Sequence, residues 1–135
     1  IVPKQTAYAR VLSGELPILV DYDFNAYRAR YKDNANVAFV IPKEGSISVP
    51  YVMSLVANAP HRANGEKVLD FVLSDAGQAL WAKAYLRPVR PVQMPAEVAA
   101  QFLPDSDYAR AGVVDYQKMA AVQEAFAARY LNEVK

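Results

Sequence analysis

At 135 residues, 53% of them hydrophobic, the chain is the size of one ordinary domain and has the material for a core. Its net charge of +1 is spread thinly, with RPVR at 87–90 the longest basic cluster, so it lacks the electrostatic footprint of a nucleic-acid binder. With no cysteine there is neither a disulfide nor a thiolate zinc site, and a single histidine, His61, supplies no catalytic dyad or multi-histidine metal centre. No apolar run reaches the roughly 18 residues that span a bilayer.

The opening IVPKQTAYAR carries no initiator Met and no n-region or h-region of a signal peptide, which predicts a processed chain or a piece of a longer one. TAYARVLSGE reads as the last turns of a helix. Ala7, Val11 and Leu12 give it an apolar stripe, and Gly14 takes the left-handed position after the cap. LPILV (16–20) is a continuous apolar run of strand length, the kind buried on both faces in parallel sheets. FNAYRARYK predicts a short helix with Phe24, Tyr27 and Tyr31 on one face. NVAFVIP (36–42) predicts a second buried strand, stopped by Pro42, which has no N–H for a ladder. After the turn-rich KEGSIS, VPYVMSLVA (49–57) predicts a third strand, completing a βαβ unit.

From Asn64 onward the pattern is helical. NGEKVLDFVLS takes Asn64 as its N-cap and places Val68, Leu69, Val72 and Leu73 on one face. Ser74 caps the next helix, with Asp75 in its favourable first turn. RPVRPVQMP is an extended, proline-punctuated connector, and PAEVAAQF is a short helix with Pro95 in its first turn. The last helix has Asp115 as N-cap and a buried stripe of Met119, Val122, Phe126 and Tyr130. Three strands followed by about four helices define an α/β class. That sheet is thin for so much helix, and doubly buried strands need neighbours, so the chain reads as a fragment.

Several residues invite a chemical reading. Asp21, Tyr22 and Asp23 stand where a strand hands over to a helix. Asp23 suits capping, while ligands of open α/β sheets bind outside the carboxyl ends of the strands. Two carboxylates with a phenol suit an amine cation or a hard metal ion. In PKEGSIS, Gly45 fits a turn at positive φ, and the N–H groups of Gly45 and Ser46 with the Ser46 hydroxyl are candidate ligand contacts. Arg87 and Arg90 suit either an anion clamp or a structural role, and the surface course of a Pro-rich connector favours the latter. His61 reads as an exposed loop residue, and Trp81 with Tyr85 as core packing. No nucleophile motif is present, so the chain is expected to be no enzyme and to need no cofactor or resident metal.

VAFVIPKEGSISVPYVMSLVANAPHRANGEKVLDFVLSDAGQALWAKAYLRPVRP (37–91) resembles the C-terminal part of bacterial extracellular solute-binding proteins. These are the type II periplasmic binding proteins of ABC importers, in the group that takes up iron, polyamines, thiamine and phosphonates. A strand ending in Pro-Lys-Glu-Gly-Ser, then LVANAP, DFVLSDAGQ and RPVRP follow in order, and LSGELPILVDYDFNAY extends the likeness to nearly the whole chain.

The resemblance implies the C-terminal portion of a two-lobed fold that closes on its ligand by hinge motion, with the N-terminal half missing. Residues 1–48 would be the strand-helix-strand part of the second lobe up to the hinge, and 49–135 the hinge-crossing strand and C-terminal helices. It further implies a periplasmic protein that passes a small solute to an ABC permease in the inner membrane, without nucleic acid. The implied ligand-facing residues are Asp21, Tyr22, Asp23, Glu44, Gly45 and Ser46. Iron-binding members have two adjacent tyrosines where this chain has one, Tyr22, between acids. Polyamine-binding members have a Trp and an Asp at the positions of Val49 and Tyr51. The remaining groups favour a cationic or zwitterionic solute. Two rival readings are the effector-binding domain of a transcriptional regulator of the same fold and a proteolytic fragment that binds nothing.

Overall fold

The computed structural model describes residues 7–134; Thr6, with which the first expected helix opens, lies outside them. In chain order the elements are α1 (Ala7–Leu12), α2 (Asp23–Tyr27) running on as a π-helical segment (Arg28–Lys32), β1 (Ser46–Ser48), α3 (Arg62–Leu73), α4 (Asp75–Lys83), α5 (Ala96–Ala99), α6 (Asp105–Tyr108), β2 (Ala111–Val113) and α7 (Tyr116–Glu133). The described residues are thus mixed helix with a small sheet, compatible with part of an α/β solute-binding domain. They divide into two compact units. The first holds the described parts of Ile1–Val20 and Ser106–Lys135 with Ile41–Val49, and the second holds Asp21–Val40 with Pro50–Asp105.

In the first unit α1 ends as its sequence dictates. Gly14 adopts φ 76°, and the N–H groups of Ser13 and Gly14 donate to Ala9 O and Val11 O at 3.1 Å each. β1 and β2 pair in parallel with Ser46 opposite Ala111, Ile47 opposite Gly112 and Ser48 opposite Val113. α7 starts at its expected cap, where the Asp115 carboxylate accepts from the N–H groups of Gln117 and Lys118 at 3.1 Å. Its apolar stripe is present but not buried: Met119, Val122, Phe126 and Tyr130 are all exposed, Phe126 at 64%. An amphipathic helix buries its face only where another element covers it, and no described segment does so here.

The second unit is organised around Tyr27, which is buried. Its ring meets Phe39 edge-on at 5.0 Å and Phe102 at 5.3 Å, with Tyr85 at 6.5 Å. The Tyr27 hydroxyl accepts from the Leu103 N–H at 3.0 Å, so the phenol's polar tip is satisfied inside the aromatic cluster. α2 passes into a π-helical turn that closes with Asp33 N–H on Arg28 O at 3.1 Å, and Asn34 ends it at φ 52°.

α3 and α4 are joined by Ser74 alone. The Ser74 hydroxyl donates to Phe71 O at 2.6 Å and accepts from Gly77 N–H at 3.2 Å, so it serves the end of one helix and the start of the next. The expected cap of α3 is displaced. The helix begins at Arg62, and the N–H of Asn64 donates to His61 O at 3.0 Å, which puts Asn64 inside the first turn.

The three expected strands form no ladder. LPILV, NVAFVIP and VPYVMSLVA run without regular pairing, and the sheet is built from two short segments not expected as strands. Val20 is 95% exposed and Val52 84%, against the expectation of double burial. The physical reason is that a strand exists by hydrogen-bonding to a neighbour, and no described segment pairs with these along a ladder. NVAFVIP still carries a strand's period of two. Ala35, Val37, Phe39 and Ile41 turn inward while Asn36, Ala38 and Val40 face solvent.

Candidate functional site

Asp21, Tyr22 and Asp23 lie in the second unit, at the entrance to α2. Asp23 was expected as the cap but is the first helical residue, and the cap position falls on Tyr22, whose side chain makes no capping bond. The Asp23 carboxylate accepts from the next N–H, that of Phe24, at 2.9 Å. Asp21 Oδ1 accepts from Tyr22 N–H at 2.7 Å and from Asn25 Nδ2 at 3.0 Å. These bonds fix both carboxylates at the start of a short helix, where negative charge is favourable.

Around them stands a row of rings. Tyr22 stacks on Phe24 at 5.4 Å and 15°, and Phe24 meets Tyr51 edge-on at 6.1 Å. Tyr22 and Tyr51 are both exposed. Carboxylates beside exposed aromatic faces attract a cation twice, by charge and by the ring quadrupole. The contact of Phe24 with Tyr51 was not legible in the sequence, because it joins positions 24 and 51 across the rest of α2, its π-helical continuation, NVAFVIP and β1, and no local pattern predicts such a pairing.

Glu44, Gly45 and Ser46 belong to the first unit. Gly45 sits at φ 132°, as the turn reading requires, and its N–H donates to Pro42 O at 3.3 Å, so that donor serves the turn. A side chain built on Gly45 would meet nothing within 4 Å, so the turn faces open space. Glu44 and Ser46 are exposed, and Ser46 opens β1.

The remaining candidates resolve into structural roles. Arg87 bonds Asp105 at 2.6 Å, and Arg90 donates to Leu73 O and lies 3.6 Å from Asp75. Both guanidiniums border an open cavity of about 480 Å³ whose walls include Val89, Val92, Met94 and Phe102. His61 is exposed at the N-cap position of α3, with no side-chain capping bond. Tyr85, expected as core packing, stacks on Tyr31 at 6.4 Å, while Trp81, expected in the core beside it, is exposed. The connector they precede is held by a residue that carries no signal in the sequence. Gln78, only 3% exposed, donates to Val72 O and accepts from Val89 N–H, both at 2.8 Å. Among the described residues no group of three or more acids or histidines is assembled to hold a metal ion, and no helix is long and apolar enough to cross a membrane.

The family model of bacterial extracellular solute-binding proteins matches residues 1–121, and the chain belongs to that family. Comparisons with curated proteins and with solved structures gave no match. Membership supports a solute-binding role in transport, with a small ligand and a permease as the general partners. The family's name implies an extracellular or periplasmic location, and such proteins are typically non-enzymatic.

Proposed function

We propose that the chain is part of the substrate-binding component of an ABC importer, which captures a small solute in the periplasm and delivers it to an inner-membrane permease. The solute is a cationic or zwitterionic organic molecule, or a metal ion. Asp21, Tyr22 and Asp23 in the second unit are its proposed contacts, and Glu44, Gly45 and Ser46 in the first unit are a separate candidate set. The observation that carries the choice of solute is the pair of carboxylates beside the Tyr22–Phe24–Tyr51 row, a chemistry that suits an organic cation better than a metal.

On this reading the fold is the C-terminal portion of a two-lobed type II binding protein. Residues 1–48 belong to the second lobe up to the hinge, and 49–135 carry the hinge-crossing segment and the C-terminal helices. Support comes from the unpaired apolar segments, whose exposed Val20 and Val52 are what a lobe shows when the elements that cover it lie elsewhere in the protein.

The test is thermal melting of the full-length encoded protein with a panel: a diamine, an aminoalkylphosphonate, ferric and zinc ions, and a neutral sugar. A solute at about 100 times its dissociation constant stabilises the folded state by about 2.7 kcal/mol, a readily measured rise in melting temperature. A rise with the diamine or the aminoalkylphosphonate supports the reading, and a flat response across the panel overturns it.

A further inference from the structure

Arg110 is half-buried, just ahead of β2, in a stretch with no sequence motif. Its Nη1 bonds Asp107 Oδ1 at 2.6 Å, and its Nη2 donates to the carbonyl of Ile41 at 2.7 Å. Ile41 is itself buried and immediately precedes the Pro42–Gly45 turn. The next residue, Ala111, is the ladder partner of Ser46, on the far side of that turn. Two successive residues therefore grip the turn at both ends, one by a guanidinium and one by the ladder. Within the turn the closing bond is the 3.3 Å contact from Gly45 N–H to Pro42 O, and Pro42 has no N–H of its own to add. The third guanidinium nitrogen, Nε, is buried without a hydrogen-bond partner among the described residues. Leaving a donor unpaired carries a cost, which the two charge-assisted bonds at the tip offset.

We propose that Arg110 is the positioning residue of the Glu44–Ser46 turn, with Asp107 orienting its guanidinium. It fixes Ile41 against β2 so that the Gly45 backbone and the Ser46 hydroxyl are held in one presentation. That the fixed turn serves a solute rests on the proposed function; that Arg110 fixes it does not. Lysine cannot replace it, because an ammonium is a point donor and the geometry demands a planar fork spanning a carboxylate and a carbonyl.

Amide hydrogen exchange on the whole protein, read residue by residue, separates this role from general stabilisation. In Arg110→Lys the amides of Gly45, Ser46 and Ile47 are expected to exchange about tenfold faster, while those of α3 stay within about twofold of the unchanged protein. Asp107→Asn, which keeps the arginine but loosens its anchor, should give the same local pattern with a smaller factor, and it decides the matter if the lysine variant does not fold. Unchanged exchange at the turn, or equal acceleration at the turn and in α3, overturns the proposal. The readout needs no solute, so it stands apart from the melting panel on which the solute-binding reading depends.

Discussion

Gly77 looks like a weakness in a helix and is in fact a necessity. Because Ser74 alone separates α3 from α4, the last carbonyls of α3 lie against the first turn of α4. A Cβ on Gly77 would stand 2.1 Å from Phe71 O and 2.8 Å from Val72 O, both backbone atoms that cannot move cheaply. Gly77→Ala should cost about 2 kcal/mol, read as a lower midpoint in chemical denaturation, and an unshifted midpoint would contradict this packing. Gln78, next in sequence, is a second silent residue. Gln78→Leu leaves Val72 O and Val89 N–H without their partner, a loss of about 2 kcal/mol by the same measurement. Neither residue was legible as important, since glycine and glutamine inside a helical pattern carry no signal of what approaches them from outside it. Ser74 and Asp115 were legible, because a cap acts on its own next turn.

One ion pair at this scale carries a pH dependence. Arg10 hydrogen-bonds the Glu15 carboxylate and holds its pKa below the usual carboxylate range, the loss of hydration acting in the opposite sense. A depressed folded-state pKa means the contribution is present above the unfolded value and lost as pH falls through the folded one, in the acid range. A titration of the Glu15 side chain by NMR should show it rising to the ordinary carboxylate range in Arg10→Gln. A Glu15 titration unmoved by that substitution would remove the pair from the account.

At the scale of elements, the end of α4 shows a conflict that the fold resolves. Leu86 N–H donates to Trp81 O and Tyr85 N–H to Ala82 O, both at 3.0 Å, a pattern that needs a left-handed residue after the cap. The residue there is Tyr85, at φ 66°, where glycine is usual. Its ring compensates by stacking against Tyr31 at 6.4 Å beside Tyr27. Tyr85→Ala keeps the strain and loses the ring, whereas Tyr85→Gly loses both. The glycine variant should therefore be the more stable of the two by about 1 kcal/mol, and both less stable than the unchanged protein. The reverse order would refute the strain.

The helices other than α6 were legible in position because their signals are local: the 3.6-residue stripe, the cap, and the glycine after α1; α6, four residues long, carries no such signal. The strands were not. LPILV and VPYVMSLVA have the apolar content of buried strands, but a strand is completed by a partner, and composition does not say where the partner lies. The same reasoning explains α7, whose stripe was read correctly as a face and incorrectly as a buried one. The paired segments, SIS and AGV, were missed because three residues carry too little pattern to register.

For the molecule as a whole, the strongest sequence signal was the ordered set of motifs from Pro42 to Pro91, and the family match over residues 1–121 agrees with it. The entrance to α2 was legible as a junction of acids and a phenol, but its aromatic company was not. On the proposed function, solute recognition falls first on Asp21, Tyr22 and Asp23, with charge and ring faces together selecting a cation. It is tested most directly by calorimetric titration of the full-length encoded protein with putrescine and with 2-aminoethylphosphonate, beside the Asp21→Asn/Asp23→Asn double variant. The account predicts saturable binding of at least one compound by the unchanged protein and affinity at least about tenfold weaker in the variant, the loss expected for charge-assisted contacts. Equal affinity in the two proteins, or no binding by either, would contradict it.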